Sequence, residues 1–464
     1  MINEKKARAI LPILVSIVLF MEFLDISIIN TAIPSIARNF AINPIFLKFS
    51  IASYFLSLAI FIPISGWCND KFGTKTIFLF SVWLFTAASL LCSVSHNVAQ
   101  LTVFRFLQGI GGAFMNPVSR LIILRLFPAK ELVKIQSIIF TPALVGLVIG
   151  PFLGGIITNY LSWHWIFNIN IPIGIIALYV GFKYITQMKV ATTSFDWIGF
   201  IIASLSLALI TFFIEMLNHY EVISKAQVIY SGVLGIGLGM LLILYCMKKE
   251  NAVFNFSIFK VKSFNIGFCI NFSTFALLSS ISFLLPLMLQ ESYHYNPAQS
   301  GLLVLPIAIA QVFSRSMAPK LIHKFGFKNL LIFATSFVFV CVFLMGTIYE
   351  DSSIIYIVII EVFFGITIMM CGSSTGALNY IDTPKDKFSA VTSLDITFRQ
   401  FSSSLGIGFA SLCLTSFANY SNITLFGNGS YKIFHYTFYV LSILAIIALF
   451  NAFRLDRSTG KLTS

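Results

Sequence analysis

Charge is scarce in this chain. Asp, Glu, Lys and Arg make up 10% of its 464 residues, where soluble domains carry about 25%. A composition that poor in charge excludes an ordinary water-soluble enzyme. Cysteine is sparse and unpatterned. Cys68, Cys92, Cys246, Cys269, Cys341, Cys371 and Cys413 are scattered, mostly within apolar stretches. Their spacing fits neither a disulfide framework nor a zinc site, so they read as small buried hydrophobes and imply no metal. No nucleophile–base pair, metal-ligand cluster or phosphate loop appears, so neither enzyme activity nor a cofactor is expected. The run Gly109-Ile-Gly-Gly-Ala-Phe114 lacks the third glycine of a dinucleotide loop and lies inside an apolar stretch. The net charge of +13 comes with no basic patch or run, so nucleic acid is not an expected partner.

What the chain has in excess is apolar length. Hydrophobic residues make up 58% of it, against about 45–50% in soluble domains. One bilayer crossing uses ~20 mostly apolar residues. Hydropathy and breakers predict fourteen spans, near 10–33, 47–67, 77–95, 99–119, 137–159, 165–184, 197–217 and 227–247, then near 264–289, 299–317, 329–348, 353–374, 393–417 and 434–453. Each is expected to be a helix, because lipid leaves the backbone to satisfy its own hydrogen bonds. The fold class is therefore an all-α, polytopic membrane protein. Lys5, Lys6 and Arg8 before the first apolar run imitate a signal peptide, but the run is too long and carries Glu22 and Asp25.

Basic residues orient the spans. With the N-terminus inside, 23 of the 30 Lys and Arg fall in inner segments, among them Lys385, Arg457 and Lys461. Only Arg38, Lys48, Lys225 and Lys432 fall outside, while Arg105, Arg315 and Arg399 fall within spans. That bias predicts cytoplasmic termini and an even span count. Asn422-Ile-Thr and Asn428-Gly-Ser fall in a predicted outer loop and matter only in a glycosylating host. So little chain remains for loops that binding must occur between helices, as in a transporter or channel.

The chain also echoes itself. Gly66-Trp-Cys-Asn-Asp-Lys-Phe-Gly-Thr-Lys75 follows the second span and Pro319-Lys-Leu-Ile-His-Lys-Phe-Gly-Phe-Lys328 follows the tenth. Their shared Lys-Phe-Gly-x-Lys recurs 253 residues on, as between Gly73 and Gly326. Parallel repeats of six spans are a transporter architecture. The offset leaves room for two extra helices between the halves. The expected division is an N-terminal six-helix bundle over 1–190, two linking helices over 191–250, and a C-terminal six-helix bundle over 251–464.

Charges inside spans carry the most information, since each costs at least ~2.5–3.5 kcal/mol on insertion scales and marks ion or substrate paths. Glu22 and Asp25 are three residues apart and share a helix face. Two carboxylates that close cannot both be charged easily in a low dielectric, which makes the pair a candidate for carrying a proton. Arg105 in the fourth span cannot be buried unpaired, and Gln108 one turn on extends the same polar network. Gly150 and Gly154 have the spacing at which helices touch backbones, and Pro151 between them kinks the fifth span. Gly66 and Gly73 permit close approach and tight turning in the inner loop. Asp395 and Arg399 are expected to pair with each other. Glu215 and Glu361 are expected to snorkel to the interface.

Five stretches, in order, carry a resemblance: Leu24-Asp-Ile-Ser-Ile-Ile-Asn-Thr-Ala-Ile-Pro34, the Gly66–Lys75 loop, Arg105-Phe-Leu-Gln-Gly-Ile-Gly-Gly-Ala113, Gly146-Leu-Val-Ile-Gly-Pro-Phe-Leu-Gly-Gly155 and Trp163-His-Trp-Ile-Phe-Asn-Ile-Asn-Ile-Pro-Ile-Gly174. The chain resembles the major facilitator superfamily and, within it, the fourteen-helix drug:proton antiporters of the multidrug efflux type. The resemblance implies that Asp25 is the proton and cation site, with Glu22 as a second acid and Arg105 exchanging hydrogen bonds with the acid as protons move. It implies that Gly66, Asp70, Gly73 and Lys75 belong to a loop that latches one access state, weaker in the second copy where Pro319 and His323 stand. It implies that Gly150, Pro151 and Gly154 mark an antiporter rather than a symporter. Arg399-Gln400 before Gly406 and Gly408 also looks like the family pattern. Asn30, Gln108, Arg399 and Gln400 are assigned to the substrate cavity.

The function expected is proton-coupled export of small amphipathic drugs or toxic compounds across the cell inner membrane by alternating access. The partners are then a small-molecule substrate, protons and the lipid bilayer. A periplasmic adaptor serves some such exporters, but no obvious docking segment appears. The chief alternative is a dedicated exporter of one endogenous metabolite, such as a siderophore or organic acid. Anionic cargo of that kind would need Arg105, Arg315 or Arg399 free in the cavity. A nutrient-importing symporter is a second alternative.

Overall fold

The computed structural model describes residues 4–127, 129–189, 194–217, 223–249, 252–384, 387–421 and 429–456. Lys385, Asn422, Asn428, Arg457 and Lys461 lie outside them, as do the expected domain boundaries at 190/191 and 250/251. Among the described residues the regular structure is helical: α1 Glu4–Phe40, α2 Lys48–Phe72, α3 Thr74–Ser93, α4 Val98–Leu126, α5 Ala129–Tyr160, α6 Trp165–Asn168 and α7 Asn170–Tyr184. There follow α8 Trp197–Met216, α9 Lys225–Lys248, α10 Lys262–Glu291, α11 Pro297–Met345, α12 Ile354–Ile381, α13 Phe388–Ser421 and α14 Tyr431–Phe453.

Twelve stretches among the described residues are long and apolar enough to cross a membrane, and the protein is a multi-pass membrane protein. All fourteen predicted spans fall on helices, and two differences explain the lower count. α11 carries both the tenth and the eleventh spans, two helical stretches that meet at a sharp bend at Gly326 (φ 75°, ψ 163°), the second-copy glycine of the loop echo. α4 is 29 residues long, but Arg105, Gln108, Asn116 and Arg120 dilute its apolar character. The sixth span also differs, because it is broken at Ile169 into the short α6 and the longer α7.

The chain divides into two compact units, Met1–Phe200 and Ile201–Ser464, with the boundary inside α8. In the first unit α1 packs on α5 and α7, α2 on α4, and α3 on α4 and α7. Its core gathers Leu14, Val18, Tyr54, Phe78, Phe85, Met115 and Val118. In the second unit α10 packs on α13, α12 and α14, and α11 on α12 and α14. α8 and α9 approach closely there: Ser206 Oγ donates to Gly235 O at 2.8 Å, and Gly232 abuts the Phe213 ring. Apolar side chains such as Ile201, Leu205, Val233, Leu234 and Leu244 are exposed on these two helices, as expected of a lipid-facing surface.

Candidate functional site

Asp25 sits midway along α1 and is 1% exposed. Its carboxylate collects donors from two other helices. Arg105 Nη1 on α4 donates to Oδ2 at 2.5 Å. Gln108 Nε2, one turn along α4, donates to Oδ1 at 2.8 Å, and Asn170 Nδ2 on α7 donates to the same oxygen at 2.9 Å. Ser89 Oγ on α3 closes the ring, accepting from Gln108 at 2.8 Å and from Asn170 at 3.3 Å. Arg105 Nη1 also donates to Gln108 Oε1 at 2.8 Å, and the guanidinium lies 4.3 Å from the Tyr54 ring centre. Four helices thus converge on one buried ion pair. Such a pair persists in low dielectric more readily when its remaining lone pairs and protons are satisfied; the two amides do this for the carboxylate, while Arg105 Nε has no hydrogen-bond partner among the described residues.

Glu22 is buried on the same helix, yet stands apart from this network. Its Oε2 has no hydrogen-bond partner among the described residues. Two acids one turn apart therefore occupy unlike surroundings, one gripped by three donors and one not.

The glycine run on α5 is a seam against α1. A side-chain carbon at Gly146 would meet Phe20 O, at Gly150 the side chain of Ser27, and at Gly154 the carbonyl of Ile28. Ser27 Oγ donates to Gly146 O at 3.4 Å and Thr31 Oγ1 to Pro151 O at 3.0 Å. α5 continues as one helix through Pro151. The glycines thus press α5 onto the helix that carries Asp25.

In the inner loop, Gly73 (φ 94°) ends α2 and begins α3, a left-handed conformation that costs other residues about 1–2 kcal/mol. Gln187, beyond α7, clamps this turn. Its Nε2 donates to Phe72 O and Thr76 Oγ1, both at 2.8 Å. Its Oε1 accepts from the backbone N–H of Lys75 at 3.1 Å and of Thr76 at 3.3 Å. Orphan N–H groups at the start of α3 are satisfied in this way. Lys75 Nζ lies 4.5 Å from the Phe182 ring centre, and Asp70 Oδ1 accepts from Asn69 Nδ2 at 3.2 Å. Gly66 differs from expectation. It is exposed, and among the described residues a side-chain carbon there would meet nothing within 4 Å.

The second unit holds a polar cluster of its own. Asp395 Oδ1 on α13 accepts from Asn271 Nδ2 on α10 at 2.8 Å and from Asn379 Nδ2 on α12 at 3.0 Å. Arg399 Nε is 4.0 Å from Asp395 Oδ2, and its guanidinium lies 5.0 Å from the Phe275 ring centre. The two ions pair, but amides hold the acid more closely than the arginine does. Arg399 and Gln400 are partly buried. In the first unit Asn30 is partly buried while Gln108 is wholly buried within the Asp25 network.

Snorkelling is corrected for two acids: Glu215 and Glu361 are both buried. Gly408 of α13 opens the space that the Glu215 carboxylate fills, its Cβ position lying 2.9 Å from Oε1. Proximity to a helix end suggested reach to water, but for Glu215 a small facing residue makes burial possible.

Sequence reasoning missed Asn170, Ser89, Tyr54 and Gln187. Asn170 carries a faint signal, as an amide beside Pro172 at the start of an apolar run. Ser89 and Gln187 carry none, since one hydroxyl in a span and one glutamine after it are unremarkable.

A sequence profile described as Major Facilitator Superfamily matches residues 15–407. A Haemophilus influenzae protein named as transport protein HsrA is 31% identical over 463 residues, covering 99% of this chain and 98% of its own. An Escherichia coli protein named as multidrug resistance protein MdtD is 30% identical, covering 93% of this chain and 90% of its own. Among solved structures, a POT family transporter in complex with 5-aminolevulinic acid superposes with a TM-score of 0.70 at 15% identity, covering 98% of this chain and 96% of that one. A bacterial homologue of the human lysosomal transporter Spinster gives 0.68 at 13% identity, covering 98% of both chains. At those identities the structural likeness concerns the fold.

Proposed function

The chain belongs to the major facilitator superfamily, and from that premise we propose that this transporter is a proton-coupled antiporter exporting small amphipathic compounds by alternating access. One observation carries the reading: a membrane-embedded carboxylate, Asp25, held by Arg105, Gln108 and Asn170 at 2.5–2.9 Å. Protonation of Asp25 removes the charge that Arg105 answers, so the network rearranges when the proton arrives. A cationic cargo competes for the same negative charge, which makes proton and cargo mutually exclusive. Glu22, one turn away without a donor on Oε2, is the second acid on this route. A proton entering down 100 mV contributes ~2.3 kcal/mol, enough for tens-fold accumulation per proton.

The glycine seam of α5 on α1 supports exchange over leak, because the helix bearing Asp25 has no slack against its neighbour. The names of the MdtD relatives agree with drug-like cargo. The loop at Asp70, Gly73 and Lys75 serves as the conformational latch in this reading. Two six-helix bundles with α8 and α9 as extra linking helices, in a bacterial inner membrane with cytoplasmic termini, complete it.

The test is reconstitution of the full chain in lipid vesicles, offering lipophilic cationic dyes, organic acids and chelators in turn while following proton release. Cationic dyes are expected to drive proton release that Asp25→Asn abolishes. Proton release driven by organic acids alone, or undiminished coupling in Asp25→Asn, would overturn the reading and favour a dedicated metabolite exporter or another coupling site.

A further inference from the structure

The two units repeat one another more closely than the loop echo alone indicates. Tyr54 and Ile307 stand 253 positions apart, as do Ser57 and Ala310. Gly109 and Gly365 stand 256 apart. The contacts repeat with the numbering. A side-chain carbon on Gly109 of α4 would strike Tyr54 O and Ser57, and one on Gly365 of α12 would strike Ile307 O and Ala310. Ser27 and Ser280, again 253 apart, each donate to a glycine carbonyl on the facing helix, Gly146 O at 3.4 Å and Gly406 O at 2.8 Å. α12 is therefore the counterpart of α4 within its own unit.

That correspondence places Glu361 where the first unit has Arg105. Arg105-Phe-Leu-Gln-Gly-Ile aligns with Glu361-Val-Phe-Phe-Gly-Ile. Each charged residue is the eighth of its helix, each is wholly buried, and each lies one turn before the glycine that meets the facing helix. Their surroundings are opposite. Arg105 has Asp25, Gln108 and the Tyr54 ring, whereas Glu361 is 0% exposed and neither carboxyl oxygen has a hydrogen-bond partner among the described residues. Tyr54 is replaced by Ile307.

Among the described residues no cation stands beside it to take the place of a proton. On α11, residues 297–314 carry no ionisable side chain, and Arg315 follows on the order of 15 Å further along the helix than the level of Glu361. The return half of α11 carries Lys328 at its start and Cys341, and the outer half of α10 carries Glu291 at its end. On α13, Asp395 and Arg399 lie at the level of Asn379, about five turns of α12 away.

We propose that Glu361 is a second proton-carrying carboxyl of this transporter, located in the C-terminal unit and loaded and emptied separately from Asp25 and Glu22. The proposal rests on the proton-coupled reading above. A carboxylate without donors among apolar side chains is prohibitively costly, so the arrangement described suits the neutral acid. Ionisation requires water or a donor to reach Glu361, which means a different packing of α11 against α12. Proton occupancy and conformation are thereby linked. The step is simple: an O–H bond forms with a proton taken from water on one side of the membrane and breaks to water when the helices part.

Infrared difference spectroscopy on the full chain in lipid film tests this, comparing wild type, Glu361→Gln, and Asp25→Asn combined with Glu22→Gln as pH is stepped. A neutral-carboxyl band is expected in wild type and in the Asp25/Glu22 variant. The component of that band due to residue 361 should be missing from Glu361→Gln, and in the Asp25/Glu22 variant it should fade as pH rises and return as pH falls. A spectrum unchanged by Glu361→Gln, or a Glu361 band that never responds to pH while the protein stays folded, would overturn the proposal. If Glu361→Gln fails to fold, Glu361→Asp decides, since it moves the band only where residue 361 carries it. Transport by Asp25→Asn is a separate readout, so failure here and failure of the Asp25 reading are distinguishable.

Discussion

Gln187 occupies the space that a side chain on Gly73 would need: a carbon built there lies 2.6 Å from its Nε2. One amide far along the chain therefore holds the turn between α2 and α3 closed and caps the start of α3. Gln187→Ala is expected to cost about 1–2 kcal/mol, in line with losing a few partly exposed hydrogen bonds. Amide exchange at Lys75 and Thr76 should accelerate while the core of α4 keeps its protection. Unchanged exchange at both amides would remove the clamp.

The Asp25–Arg105 pair predicts strong non-additivity. Removing either partner leaves a buried charge uncompensated, at a cost of about 3–5 kcal/mol. Arg105→Gln and Asp25→Asn should each lower the thermal midpoint sharply. The double variant should lose less than the sum of the two singles, by a coupling of about 0.5–3 kcal/mol, and remain without coupled transport. Simple addition of the two losses would show that the pair does not act as a unit.

Glycines on the two sides of the first unit should respond in opposite ways. Gly150→Leu forces atoms into Ser27 and is expected to cost about 1–3 kcal/mol or more, seen as lost yield or a lowered melting temperature. Gly66→Ala, exposed and facing open space, should be tolerated and should gain helix propensity of up to about 1 kcal/mol. Equal damage at both positions would contradict the seam.

One ion pair outside the spans gives a pH signature. Asp456 Oδ2 accepts from Lys262 Nζ at 2.7 Å, and that hydrogen bond and charge hold its carboxyl below the usual range. The sign follows from the lowered value: the contribution is complete above the ordinary carboxylate value of about 3.9 and is lost as pH falls through the lower folded value. Wild type and Asp456→Asn should differ slightly at neutral pH, converge in acid, and differ less in high salt because the pair is exposed. Thermal melts across pH and salt measure this.

The spans were legible because lipid demands long apolar helices, a constraint written in composition itself. Asp25 and Arg105 each stood out because a charge inside an apolar run is costly wherever it lies, and their partnership was implied by the family resemblance. Asn170 and Ser89 were not legible, because neutral amides and hydroxyls cost too little to stand out, and Asn170 meets Asp25 from 145 positions away. Glu215 and Glu361 misled for a related reason. Distance from a helix end is readable in sequence, whereas burial by a neighbouring helix, such as the gap that Gly408 leaves for Glu215, is not.

The three-donor grip on Asp25 also sets a tempo. Freeing that carboxylate means giving up several bonds together, and hydrogen bonds to charged groups are each worth about 1.5–3 kcal/mol net. Turnover should then climb steeply with warming, and weakening the hold through Asn170→Ala should flatten that climb. On the proposed proton route, the firmness that keeps an ion in oil would also slow its release.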